Sequence, residues 1–138
     1  SRIVQVLREL KEDDEFLFTK LTDVTAVDYL KLEGYDERFA VLYELFSYQY
    51  KTRLRLRVWV DEDKPKTPSA SSVFGCADWG EREVYDMFGI EFTGHPNLQR
   101  ILLPVDFGSY PLRKDYPLRG RGERDDFPRL RRGAKEDL

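Results

Sequence analysis

The densest group of titratable side chains lies in Glu81-Arg82-Glu83-Val84-Tyr85-Asp86, where four of six residues carry charge. Carboxylates this close can do acid–base chemistry. Helical spacing assigns them elsewhere. Positions 81, 84, 85 and 88 share one helix face, and Val84, Tyr85 and Phe88 make that face apolar. Glu81 then sits at the edge of a buried stripe near a helix N-terminus, where a carboxylate is favoured. Arg82 and Asp86, four apart, are placed to pair along the exposed side. Glu83 is left without an internal role. The lone His95, in Gly94-His95-Pro96, has neither a Ser or Cys nucleophile in a recognisable context nor a second His beside it. It reads as a turn residue bonded to nearby backbone. A hydrolase built on Glu83 and His95 is the weakest of the readings considered.

Composition narrows the classes further. The chain has one Cys and one His in 138 residues, so it cannot supply four soft ligands to a zinc ion or an iron–sulfur cluster. Cys76 reads as a small buried hydrophobe. No Gly-rich phosphate loop or dinucleotide fingerprint is present. Charged residues reach 36 %, but the net charge is only -3, which argues against bulk attraction to nucleic acid or acidic lipid. No apolar run approaches the roughly 20 residues of a spanning helix.

The elements that must position these groups follow from periodicity. Ile3, Val4, Leu7 and Leu10 predict an amphipathic helix over residues 2–11, ended by an acidic run. Residues 16–21 read as a strand, and residues 23–29 as irregular or short extended structure. Residues 39–48 are apolar on both faces, as in a central strand. Leu54, Leu56, Val58 and Val60 alternate with Arg53, Arg55, Arg57 and Trp59, giving one buried and one charged face. The short connection at residues 49–52 predicts a hairpin, with the pair in the middle of an antiparallel sheet. The Arg53, Arg55, Arg57, Trp59 face admits three readings: a platform for single-stranded RNA, a solvated face, or an interface with an acidic protein. Residues 64–72 read as a loop. Asp78 is expected to cap the next helix, with Glu81 in capping-box position and Gly89 ending it in a left-handed conformation.

Beyond Gly89, prolines and glycines punctuate the chain. In Pro111-Leu112-Arg113-Lys114-Asp115-Tyr116-Pro117-Leu118, each proline restricts the residue before it, so the stretch is expected to be extended. It should lie on a partner through Leu112, Tyr116 and Leu118, while Arg113, Lys114 and Asp115 form charge-assisted bonds. Residues 119–138 alternate arginines with acids and read as an extended arm.

The run Glu81-Arg82-Glu83-Val84-Tyr85-Asp86-Met87-Phe88-Gly89, Gly94-His95-Pro96, Arg100-Ile101-Leu102-Leu103-Pro104 and the Pro-Leu-Arg-Lys-Asp segment together resemble the C subunit, or 30 kDa subunit, of the proton-translocating NADH:quinone oxidoreductase, respiratory complex I. Residues 23–29 and 38–45 extend the likeness, which covers about residues 10–118. Asp78 stands where the family usually has Asn.

The resemblance implies a two-layer α+β fold, with a mainly antiparallel sheet packed on helices. It divides the chain into a domain over residues 1–118, lacking an N-terminal part that completes the family's sheet, and the arm over residues 119–138. It implies a non-catalytic structural subunit of the hydrophilic arm with no cofactor of its own, in a complex that uses FMN, iron–sulfur clusters, NADH and quinone. The D subunit, at the quinone site, is the expected neighbour, with the B and I subunits. The expected place is peripheral, on the cytoplasmic face of a bacterial plasma membrane or the matrix side of the mitochondrial inner membrane. Docking is assigned to Glu83, Arg113, Lys114, Asp115, Tyr116, Leu118, Arg53, Arg55 and Arg57. The alternative within the same class is the equivalent subunit of a membrane-bound hydrogenase or F420H2 dehydrogenase. An RNA-binding domain is the alternative from another class.

Overall fold

The computed structural model describes residues 2–123. In chain order the elements are α1 (Ile3–Glu12), β1 (Lys20–Asp28), β2 (Phe39–Ser47), β3 (Thr52–Val60), β4 (Lys66–Pro68), α2 (Ala77–Phe88) and β5 (Glu91–Thr93). Strand β2 can use both of its apolar faces only at the centre of a sheet, and it lies between β1 and β3 in an antiparallel order. Among the described residues β3 is therefore an edge strand, not part of the sheet's middle. Its arginines point outward, which suits an edge.

The inner face of the sheet aligns Val24 with Tyr43 and Ala26 with Val41 from β1 to β2. Across β2 to β3, Tyr43 faces Leu56 and Leu45 faces Leu54. Ile3 and Leu7 of α1, one helical turn apart, join Val84, Met87 and Phe88 of α2 in the same apolar cluster. The result is two layers, the α+β arrangement expected. Lys11, in the last turn of α1, donates to the Val73 carbonyl at 2.7 Å, with its ammonium 5.0 Å from the Phe74 ring centre.

Several boundaries differ from the sequence reading. The first strand runs over Lys20–Asp28, not 16–21. Phe16 and Leu17 instead close a turn by donating their N–H groups to the Asp13 carbonyl at 3.1 and 2.9 Å. A register shift between Leu21 and Asp23 breaks the strand's alternation, which is why residues 23–29 looked irregular. The stretch 64–72, read as loop, contains β4, which pairs in parallel with β5. Three-residue strands beside prolines leave no periodic signal.

Helix α2 starts at Ala77, after Cys76, and no side chain caps it. Asp78 lies in the first turn instead. Cys76 is exposed, not buried, because it precedes the buried face of the helix by one residue. Gly89 does end α2 in the left-handed region, at φ 73°. A β-carbon there would stand 2.6 Å from the Tyr110 ring and 2.8 Å from the Arg113 guanidinium. Gly89→Ala is thus expected to destabilise the isolated chain by about 2 kcal/mol or more, from the left-handed penalty together with overpacking. Urea unfolding followed by far-UV circular dichroism checks this.

Candidate docking surface

Three carboxylates whose side chains are fully buried tie the segments before and after α2 to the fold. The first is Asp28, at the end of β1. Its Oδ1 accepts from the Leu30 N–H at 2.9 Å and from Arg38 Nε at 3.1 Å. Its Oδ2 accepts from Arg38 Nη2 at 3.0 Å and from the Lys114 N–H at 2.8 Å. Arg38 extends the network to Glu62 at 2.8 Å and Asp115 at 3.0 Å. Burial works against the Asp28 charge, but the donors Arg38, Lys114 and Leu30 outweigh it and hold the carboxyl below the usual range. The same partner raises the Arg38 guanidinium against its own burial.

The second is Asp86, on α2. Its Oδ2 accepts three successive backbone N–H groups, from Ile101, Leu102 and Leu103, at 3.0, 2.8 and 3.0 Å. Consecutive N–H groups converging on one point form an anion-binding concavity, and here the anion is a side chain of the same protein. Arg100 completes the site with a 2.7 Å bond to Oδ1. Burial again opposes the charge; the N–H groups of Leu102, Leu103 and Ile101, with Arg100, overcome it and lower the pKa. The Arg82–Asp86 pair expected along the helix is absent. Asp86 faces inward, and Arg82 donates to the Gln99 carbonyl at 3.1 Å.

The third is Glu81, which takes the Ser69 hydroxyl at 2.5 Å and the Ala70 N–H at 2.6 Å. It ties the segment after β4 to α2, and so does not act in a capping box. Burial dominates and raises its pKa, despite the bonds from Ser69 and Ala70. His95 lies 3.9 Å away, with no exposed side-chain surface. Its Nδ1 accepts from the Asn97 N–H at 3.0 Å, which assigns the proton to Nε2, 3.1 Å from the Asp78 carbonyl it donates to. The imidazole therefore bonds to nearby backbone, as its turn context indicated. No substrate can reach this sealed pair.

The segment 111–118 is not extended. It is a chain of tight turns, with bonds from the Arg113 N–H to the Tyr110 carbonyl and from the Tyr116 N–H to the Arg113 carbonyl. Pro111 occupies the position in the first turn that suits its fixed φ. Arg113 caps the C-terminal end of α2 through Nε to the Phe88 carbonyl at 2.6 Å, where a cation is favoured. Its guanidinium also stacks on Tyr110 and Phe39, at 4.6 and 5.1 Å. Arg113, Lys114 and Asp115 thus serve the chain's own architecture through a side chain, a backbone N–H and an ion pair respectively. Tyr116 is half-buried and donates its hydroxyl to Glu123 at 3.0 Å. Residues 124–138, most of the expected arm, lie outside the described residues.

Large apolar side chains also face outward. Leu102, Val105, Leu112 and Leu118 are 61, 92, 52 and 106 % exposed. Several of them border a groove of about 1080 Å³ that also takes in Leu103, Phe107 and Tyr116. Glu83 projects from α2 into solvent. Arg53, Arg55 and Arg57 lie apart from this groove, on the outer face of β3, where Arg55 pairs with Glu44. The hub residues Asp28, Arg38 and Arg100 had no assigned role in the sequence. The Asp28–Lys114 bond spans 86 positions, and no local pattern reports such a partner. The charged residues flanked by apolar ones within the motif were the available hint.

The signs of the pKa shifts set the pH dependence. Asp28 and Asp86, lowered from 3.8, contribute stability that is present above that value and lost as pH falls through their folded pKa values. Glu81, raised from 4.5, does the reverse: its contribution is greatest below that pH and declines as pH rises through its folded pKa. Asp86→Asn is expected to cost about 3 kcal/mol near neutral pH, as for a broken buried pair, and less in strong acid. Glu81→Gln is expected to be less damaging at neutral pH than at pH 4. Denaturant titrations across pH measure both.

Comparison with known proteins places this architecture. The family model described as "Respiratory-chain NADH dehydrogenase, 30 Kd subunit" matches residues 1–122. The chain is 51 % identical over 120 residues to the NADH-quinone oxidoreductase C subunit of Citrifermentans bemidjiense, covering 87 % of this chain and 71 % of that protein. It is 49 % identical over 118 residues to the C subunit of the same enzyme from a Roseiflexus strain, covering 86 and 66 %. The solved trypsin-resistant fragment of Nqo5 superposes with a TM-score of 0.56 at 39 % identity, over 67 % of this chain and 77 % of that one. By sequence and by fold, the chain belongs to the family of the 30 kDa subunit, the C subunit, of respiratory complex I.

Proposed function

We propose that the chain is a non-catalytic, architectural subunit that docks through the apolar surface around residues 102–118. The observation that carries this is the sorting of one segment. The segment is anchored from within by Asp28, Arg38, Asp86 and the bond from Arg113 to the end of α2, while Leu102, Val105, Leu112 and Leu118 are left in solvent. Apolar side chains held outward by a buried ionic framework suit a surface that is covered in an assembly.

Its single Cys and single His do not fit an iron–sulfur cluster, and among the described residues no three potential ligands gather to hold a metal. On the family reading, the FMN, clusters, NADH and quinone of the complex are proposed to lie in other chains. Family membership points to the quinone-site D subunit as the main neighbour, with the B and I subunits beside it, and to bracing of the quinone-reducing module as the role. No described helix is long and apolar enough to cross a membrane; the peripheral place proposed, on the cytoplasmic or matrix side, rests on the family reading. Lys114, Tyr116 and Leu118, on the rim of the groove, and Glu83, exposed on α2, are proposed as docking residues, and residues 119–138 are proposed to add to docking. The relatives are named as C subunits of NADH-quinone oxidoreductase, which favours this complex over the hydrogenase and F420H2-linked alternatives and over an RNA-binding domain.

Because Arg113 and Asp115 also have internal bonds, replacing them lowers the chain's own stability and does not isolate docking. Leu112 and Leu118 separate the two. Leu112→Glu with Leu118→Glu is expected to leave the melting temperature of the isolated chain within a few degrees of wild type. Recovery of the subunit in the purified complex should fall by roughly tenfold or more, given about 2 kcal/mol for each leucine buried. Undiminished recovery would count against the proposal, and so would an equal loss of the isolated fold.

A further inference from the structure

Arg57 lies among three aromatic rings on the outer face of the sheet. Tyr29 follows β1, Tyr35 belongs to the loop before β2, and Trp59 is two residues along β3. The centroids of Tyr29 and Tyr35 are 4.3 Å apart, those of Tyr29 and Trp59 5.1 Å, and those of Tyr35 and Trp59 5.9 Å. The Arg57 guanidinium carbon lies 5.3 Å from Trp59, 5.6 Å from Tyr29 and 6.0 Å from Tyr35. Tyr35 and Trp59 remain 43 and 40 % exposed. Stacking on ring faces restrains a guanidinium while leaving its N–H edge available.

The neighbouring cations differ. Arg55 takes Glu44, and Arg38 takes Asp28, Glu62 and Asp115. Arg57 and Arg53 have no carboxylate within ion-pair distance among the described residues. A positioned guanidinium with no anion, rimmed by half-exposed aromatic rings, has the composition of an interface centre: Arg, Trp and Tyr are enriched where partners bind most strongly.

We propose that the Arg57 cluster receives an acidic segment of another subunit. One Asp or Glu of that segment accepts a two-pronged bond from Arg57, and its apolar neighbours cover Trp59 and Tyr35. The proposal rests on the chain being a docked subunit, but it concerns a surface distinct from the groove at residues 102–118. Charge complementarity selects a protein segment. A nucleic acid brings a charge with every phosphate, and on this face Arg55 is already paired with Glu44. A single carboxylate on a peptide meets only Arg57 and Arg53.

The test uses the assembled complex. A photocrosslinking residue, p-benzoylphenylalanine, is placed at Trp59 in one strain and at Leu118 in another, and the crosslinked peptides are sequenced. The expected product at position 59 is a segment of another subunit with an Asp or Glu beside the crosslink. Arg57→Glu should then lower recovery of the subunit in the complex by about tenfold, as for a reversed interfacial charge. Changing that acid to Arg in the partner should restore it, which no unfolded variant would allow. Crosslinks at 118 without any at 59 would overturn the Arg57 site and leave the groove reading intact. A nucleic acid, or a segment without acids, at position 59 would overturn the site as well. Crosslinks at neither position would overturn both.

Discussion

A carboxylate taken out of water must be neutralised by donors, and an irregular chain segment must find acceptors for its N–H groups. This protein meets both demands with the same contacts. Asp86 binds three successive N–H groups of a segment with no ladder of its own, and Asp28 binds one more from 86 residues away. The stretch after β5 is thereby held against the sheet and α2 with little regular structure. Without these two charges the segment would have few other backbone acceptors to hold it in place.

The ionic framework also explains how a small domain can present an apolar surface. Inward charges position the turns, and the turns leave leucines outward. Arg113 shows the coupling most directly. It closes the end of α2, stacks on Tyr110 and Phe39, and packs where a β-carbon on Gly89 would otherwise stand. A helix terminus, a turn and a candidate interface are thus linked through one side chain, and none of the three needs a catalytic group.

Much of the layered fold was readable from pattern. Residues 39–48 are apolar on both faces and residues 53–60 alternate with a period of two, and the β2–β3 hairpin follows from these runs and the short connection between them. The α1 stripe and Gly89 at the end of α2 were equally plain, since each signal lies within one turn or one strand pair. Where reading failed, the signal was broken or distant. A register shift at Thr22 disguised β1, and three-residue strands were too short for any period. The prolines at 111 and 117 suggested an extended segment, but they start turns because Arg38, Asp28 and the Phe88 carbonyl hold the charged residues between them.

The sequence by itself determined the class: a domain with too few soft ligands for a metal cluster, a half-charged hairpin, and a long motif shared with a family of complex I subunits. Those properties depend on residue types and short spacings. Only the tertiary structure decided which motif charges turn inward and which residues remain for a partner. The same letters, Glu81, Glu83 and Asp86, became a buried tie, an exposed carboxylate and an acceptor for three N–H groups. That division depends on elements far apart in the chain, brought together by burial of the core. It is therefore a property of the packed molecule, not of the helix that carries all three.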